Sequence, residues 1–364
     1  MRIIIPKRLS FRGEGLGNEV SPWMKGFLAA QSVGGHCLSP AWGLNRRGYR
    51  KFFRSSRFDW LQNLALEKLM RPIEFTEADY RATNEEDFGI AFRMWAEGQG
   101  LLERRSWAVT VGGLWGGRWS LRRAQPFLSG QLNATRYTAE NLADSLAQLD
   151  PERPSCVVHL RGGDFAQNDG TVNIQGRFNV ALPYPWYESA LASVRAAFGD
   201  QLNLVIVTND QSDAVSKMVK EFGALTTLHQ SNSDISDLLL MSKADLVIPS
   251  ISSFSILALF LNPNASYLWP SDQLSAVNGV DGAYGIWAHE ALQKDENSQS
   301  VRLAQENDIA LGRALPFSVG DALSGAFVDS IKSSVSQRHR ARDLIFYGSS
   351  TAVTQSVEQG ARQL

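Results

Sequence analysis

Metal and disulfide chemistry have little to work with in this chain. Its 364 residues include two cysteines, Cys37 and Cys156, each in apolar, strand-like surroundings, and five histidines. No thiol pair suggests a disulfide framework, and His36, His229, His289 and His339 lack the spacing of metal ligands. A reducing compartment fits, so we expect a cytoplasmic protein with no metal site. No apolar run approaches the roughly 18 residues that cross a bilayer. Met1-Arg2-Ile3-Ile4-Ile5 is too short for a signal-peptide core before Pro6, Lys7 and Arg8, and the expectation is no integral membrane segment. Charge of one sign is missing too. The formal net charge is -1, which argues against nucleic acid as a general partner, because backbone binding needs a basic surface. Neither an Asp-x-Asp pair nor the glycine-lysine loop of a P-loop kinase occurs.

What is present is ordinary folded protein, 44% hydrophobic and 20% charged. At about 150 residues per domain the length predicts two domains. Ile3-Ile4-Ile5 reads as a buried strand, followed by the glycine-rich Gly13 to Asn18 and a helix with Ser21 as cap and Pro22 at its first position. A helix over 83–102 and a strand over 107–111 continue the order, and Asp150-Pro151-Glu152-Arg153-Pro154 is the best linker. Beyond it, strands at 156–160, 204–208, 226–229, 246–249 and 266–269 alternate with helices at 185–198, 212–222, 235–241 and 253–261. Such alternation predicts an α/β fold with a parallel sheet covered on both faces. From Ser271 the pattern weakens. The expected division is an amino-terminal α/β domain over 1–150, a Rossmann-type domain over 155–275, and a helical or irregular extension over 276–364.

Ligands of parallel sheets bind beyond the carboxyl ends of the strands, which directs attention to three turns. In His159-Leu160-Arg161-Gly162-Gly163-Asp164 the arginine offers a planar fork suited to diphosphate oxygens; a structural ion pair is the other reading. Asn209 and Asp210 follow the next strand and either bond a ribose or base or, with Ser212, cap the next helix. Ser250 to Ser255 enter a helix with no charged residue, a phosphate site of free N–H groups and hydroxyls. The stretch Arg46-Arg47, Arg50-Lys51, Arg54 and Arg57, interleaved with Tyr49, Phe52, Phe53 and Phe58, reads as an amphipathic segment with a solvated basic face, or as a basic-aromatic binding stripe.

These turns together carry a resemblance. His159-Leu160-Arg161-Gly162-Gly163-Asp164 resembles the H-x-R-x-G-D motif of the GDP-fucose-dependent α1,2-fucosyltransferases and their α1,6 and protein-O-fucosylating relatives. Gly15-Leu16-Gly17-Asn18 is similar to their amino-terminal G-L-G-N loop, and Thr208-Asn209-Asp210 falls where they have an S-D-D-like turn. Asp237 to Ser242 and Ser252-Ser253-Phe254-Ser255 resemble their D-L-x-L-M-S and S-S-F-S signatures.

The resemblance implies a GT-B-like fold of two Rossmann-type domains with a cleft between them. It also implies a GDP-sugar donor, GDP-fucose or a relative, and inversion at the anomeric carbon. No cofactor or metal would be required, and a glycan or other hydroxyl would be the acceptor. Donor binding would fall to Gly15, Gly17, Asn18, His159, Arg161, Asn209, Asp210, Asp237, Ser252, Ser253, Phe254 and Ser255. The catalytic candidates are Arg161, which would neutralise the leaving diphosphate, and Asp164 and Glu19 as bases. A turn-stabilising Asp164 and a surface Glu19 in a first helical turn are the alternatives. The chain departs from the α1,2 members at Gly162, where they usually carry a second arginine, and at Glu19, where they have glutamine. A noncatalytic nucleotide-sugar-binding protein, or a transferase using a different nucleotide sugar, is the competing function. A dinucleotide oxidoreductase fits poorly, because Asn18 stands where a third glycine belongs.

Overall fold

The computed structural model describes residues 1–7, 15–42, 46–53, 59–162, 181–262, 264–270, 306 and 308–337. Strand β1 (Arg2–Pro6) is followed by helix α1 (Leu16–Val33), β2 (His36–Cys37), α2 (Asp59–Met70), β3 (Ile73–Phe75), α3 (Glu77–Ala82), α4 (Phe88–Gly98) and β4 (Trp107–Val111). Helices α5 (Gln125–Asn133) and α6 (Thr138–Ala147) precede β5 (Ser155–Leu160). The order then runs α7 (Tyr184–Phe198), β6 (Asn203–Thr208), α8 (Asp213–Glu221), β7 (Leu225–Thr226), α9 (Asp234–Met241), β8 (Leu246–Ile248), α10 (Ser253–Leu261), β9 (Ser266–Pro270), β10 (Ala314–Phe317) and α11 (Gly325–Gln337).

Among the described residues the strands form two wholly parallel sheets, β2-β1-β4-β3 and β10-β9-β8-β5-β6-β7. The α/β class follows directly. Alternate residues of the central strands feed two cores. Val158, Leu160 and Ile206 face α7, α8 and α11, whereas Val157, Val205 and Val207 belong with α9 and α10 to a cluster that continues into α1, α4 and the first sheet. Helices α5 and α6 join this seam: Gln125 Nε2 donates to Phe260 O at 2.5 Å and Asn141 Nδ2 to Ser231 O at 2.9 Å.

Three boundaries differ from the sequence reading, each for a physical reason. Helix α1 starts at Leu16, upstream of the expected cap Ser21, because the Leu16 N–H finds a distant partner in the Tyr49 hydroxyl at 2.8 Å; Pro22 therefore lies inside the helix. The expected 83–102 helix is shorter because Asp87 caps it, accepting from Ile90 N–H at 3.0 Å, after Asn84 turns the chain at φ 51°. In the region read as a carboxyl-terminal extension, β10 pairs with β9, and Phe327, Val328 and Ile331 of α11 enter the second core. Arg313 anchors this edge, paired with Asp308 at 3.1 Å and donating to the carbonyls of Leu259 and Asn262 at 3.0 Å.

Candidate functional site

The starts of α1 and α10 meet. Gly17, in the first turn of α1, lies so close to the start of α10 that a Cβ added to it would stand 2.5 Å from the backbone carbon and oxygen of Ser253. Only glycine permits this approach. Arg118, fully buried, fixes the α1 turn from behind, donating from Nη1 to Ser21 Oγ at 2.8 Å and from Nη2 to the Gly17 carbonyl. Asn18 is half-buried beside it, and Gly15, extended at φ -63°, caps the helix.

Beneath this contact, His159 ties β5 to the serine turn. Its Nδ1 lies 2.6 Å from Ser255 Oγ and 2.9 Å from Ser250 Oγ, Ser250 Oγ reaches Ser252 Oγ at 2.8 Å, and Phe254 packs on the imidazole with ring centroids 5.1 Å apart. Burial, reinforced by the Arg161 charge, pulls the His159 pKa down to about 3, so the ring is neutral at ordinary pH. Ser252 and Ser255 are buried in this network, and Ser252 Oγ caps α10 by accepting from Ser255 N–H at 3.3 Å. Ser253 and Phe254 remain partly exposed.

Two residues beyond His159, the half-buried Arg161 leaves β5. The following Gly162 is gripped by Asn209, whose Oδ1 accepts from Gly162 N–H at 3.0 Å. A Cβ at Gly162 would stand 2.7 Å from the Asp210 Cβ. That packing leaves no room for a side chain at Gly162. Asp210 accepts from the Tyr184 hydroxyl and, at 2.9 Å, from Ser212 N–H, and Ser212 caps α8. Although burial pushes the Asp210 carboxyl up, the bonds from Tyr184 and Ser212 carry it below the usual range. The side chains of Asn209 and Asp210 thus bind the turn itself.

Asp237 is buried in α9, with Oδ2 accepting from Ser233 Oγ at 2.8 Å, and desolvation raises its pKa to about 6. Glu19 is 4% exposed, so it is not the surface carboxylate of the alternative reading. Asp164 lies outside the described residues. Among the described residues no group of His, Cys, Asp and Glu is placed to hold a metal ion, and no helix is long and apolar enough to cross a membrane.

The sequence reading gave no role to Arg118 or Lys25. Lys25 is fully buried, donating to the Gly112 and Gly113 carbonyls at 3.1 and 3.0 Å with its ammonium 3.4 Å from the centre of the Trp115 ring. Tyr49 carried a signal as an aromatic inside the basic stretch, and Tyr184 as the first residue of the aromatic-led helix that resembles the one after the family's arginine motif.

Two parallel sheets, with the start of α1 against the start of α10, His159 of β5 bonded to Ser255 and Gly162 bonded to Asn209, define a GT-B-like α/β layout. Three solved structures share something of it. POFUT1 in complex with GDP-fucose is 13% identical at a TM-score of 0.40, covering 73% of this chain and 95% of its own. Arabidopsis thaliana FUT1, a mutant in complex with GDP, is 12% identical at 0.40, covering 78% and 73%. The E. coli heptosyltransferase WaaC with ADP is 12% identical at 0.36, covering 84% and 100%. No family model and no curated protein matches the chain.

Proposed function

We propose that this chain is an inverting glycosyltransferase that moves a sugar from a GDP-sugar, fucose by its resemblance, to a hydroxyl of a glycan or other acceptor without a metal. The observation that carries the reading is the close approach of Gly17 to Ser253, beside the His159–Ser255 bond. There the Gly15 to Asn18 stretch, the serine turn and the strand that leads to Arg161 are in contact, which supports a shared ligand. Arg161 supplies a planar fork of donors, and the start of α10 supplies backbone N–H groups at the positive end of a helix dipole. Both complement the charge that grows on a departing diphosphate, and one such preorganised contact is worth on the order of 3 kcal/mol in a transition state.

Noncatalytic binding of a nucleotide sugar is the second reading, favoured by the burial of Glu19, which leaves that carboxylate poorly placed to take an acceptor proton. Donor turnover separates the two. The expected result is release of GDP from GDP-fucose, unchanged by EDTA. Calorimetric binding of UDP or NAD but not GDP would overturn the donor assignment. Loss of turnover in EDTA with recovery in magnesium or manganese would overturn the metal-independent mechanism.

A further inference from the structure

Strand β2 plays no part in the reading above. Its register sets Ile3 opposite His36 and Ile4 opposite Cys37, and Leu38 N–H donates to Ile4 O at 2.9 Å. In a parallel ladder alternate residues bond the neighbouring strand; His36 and Leu38 do so, and the main-chain N–H and C=O of Cys37 face away from β1. No strand lies beyond β2 among the described residues. A groove of about 480 Å³ borders that edge, and Gly35, Cys37 and Ser39 all line it. Its other wall is apolar: Trp23, Phe27 and Ala30 recur along one face of α1, and Phe127 of α5 stacks on Phe27 with centroids 4.0 Å apart. Gln31 and Gln131 form an exposed rim, and the lining holds no lysine, arginine, aspartate or glutamate. Asn63 Nδ2 of α2 steadies the end of the edge by donating to Ser39 O at 2.8 Å.

An outward-facing backbone edge beside an apolar pocket suits an extended peptide, whose main chain continues the sheet while an alternate side chain fills the pocket. We propose that β2 takes an extended, uncharged polypeptide segment of a partner protein as an added strand, with one apolar side chain of that segment seated between Trp23, Phe27 and Phe127. The segment is uncharged because the lining offers no ionic partner to a desolvated charge. The backbone edge favours a polypeptide over an oligosaccharide, whose hydroxyls do not alternate donor and acceptor at strand spacing. Trp23 and Phe27 stand about 9 and 15 Å along α1 from Gly17 at 1.5 Å per residue, so the groove is separate from the donor-like turns. The inference therefore stands apart from the nucleotide-sugar reading.

Amide hydrogen exchange and calorimetry of the full chain test it, with a capped pentapeptide of alternating threonine and phenylalanine as the probe. The expected result is binding that slows exchange over residues 35–39. A fully N-methylated peptide keeps the side chains but loses every main-chain donor, and is expected to bind about tenfold or more weakly. Gln131→Trp, which fills the groove from an exposed rim position on α5, is expected to weaken the unmodified peptide by about the same factor with an unchanged melting temperature. No slowing over residues 35–39 at the solubility limit of the peptide overturns the inference, and so does equal binding of the N-methylated peptide. Unchanged peptide affinity in Gln131→Trp overturns the placement in this groove. Tighter binding of maltohexaose would assign the groove to a glycan. Protection of the same amides that grows with protein concentration alone would assign the edge to a second copy of the chain, and either result sinks the proposal.

Discussion

Gly17 and Ser253 touch across more than two hundred residues of sequence, with room for a hydrogen at Gly17 and for nothing larger. Gly17→Ala is expected to destabilise the fold by about 1–3 kcal/mol, because the atom it meets is rigid backbone at the start of α10. Gly15→Ala, two residues away with nothing within 4 Å of the added carbon, is expected to stay within about 0.5 kcal/mol of wild type. Urea midpoints of the two variants check the contrast; equal effects would show that the contact is not a constraint.

Arg118 holds the same turn from behind. Replacing it by methionine keeps most of the apolar stem but removes the donors to Gly17 and Ser21, and a loss of about 2 kcal/mol or more is expected. If Arg118 places the α1 turn for the donor, GDP affinity falls at a temperature where the variant is still fully folded. Unchanged affinity in the folded variant would confine Arg118 to stability.

Arg161→Lys keeps the charge and loses the planar fork. A leaving-group role predicts turnover reduced about a hundredfold with a melting temperature near wild type. A structural arginine predicts the reverse, reduced stability and near-normal turnover in the protein that remains folded. Both quantities are to be measured on one preparation.

His159 and Asp237 make opposing contributions to acid stability. The folded-state pKa of His159 is depressed from 6.5 to about 3, so its contribution is present above 6.5 and is lost as pH falls through that window. Asp237 is raised from 3.8 to about 6, so its contribution is present below 3.8 and is lost as pH rises towards 6. Between about pH 4 and 6 the two slopes cancel in wild type. Asp237→Asn should expose the histidine slope, a loss approaching 1.4 kcal/mol per pH unit on acidification, whereas His159→Asn should tilt the profile the other way. Parallel profiles for all three proteins would refute the assignment.

Patterns that are local in sequence were legible. Helix α10 runs over Ser253–Leu261, the bounds expected from an apolar run behind a serine cap, and the Arg161 turn follows β5 as a short apolar strand before glycines predicts. Features set by distant partners were not. The start of α1 depends on a tyrosine 33 residues away, and Arg118 meets Ser21 from 97 residues away, so each reads locally as an ordinary aromatic or surface cation. Strand β10 escaped because its edge position in a parallel sheet is fixed by pairing with β9, and no alternation marks it. The inward turn of Ser252 and Ser255 likewise depends on His159 from another strand.

The seam joining α1, α5 and α6 to α9 and α10 bears on how far the protein is modular. Gln125 reaches the Phe260 carbonyl, and Gln230 reaches Asp144 at 2.8 Å and Ser145 Oγ at 3.0 Å, so the helices before Asp150 are fastened to those after it. A gene cut at Asp150 would yield two fragments, each baring an apolar face that the other now covers, and neither half is a portable module to graft onto a foreign partner.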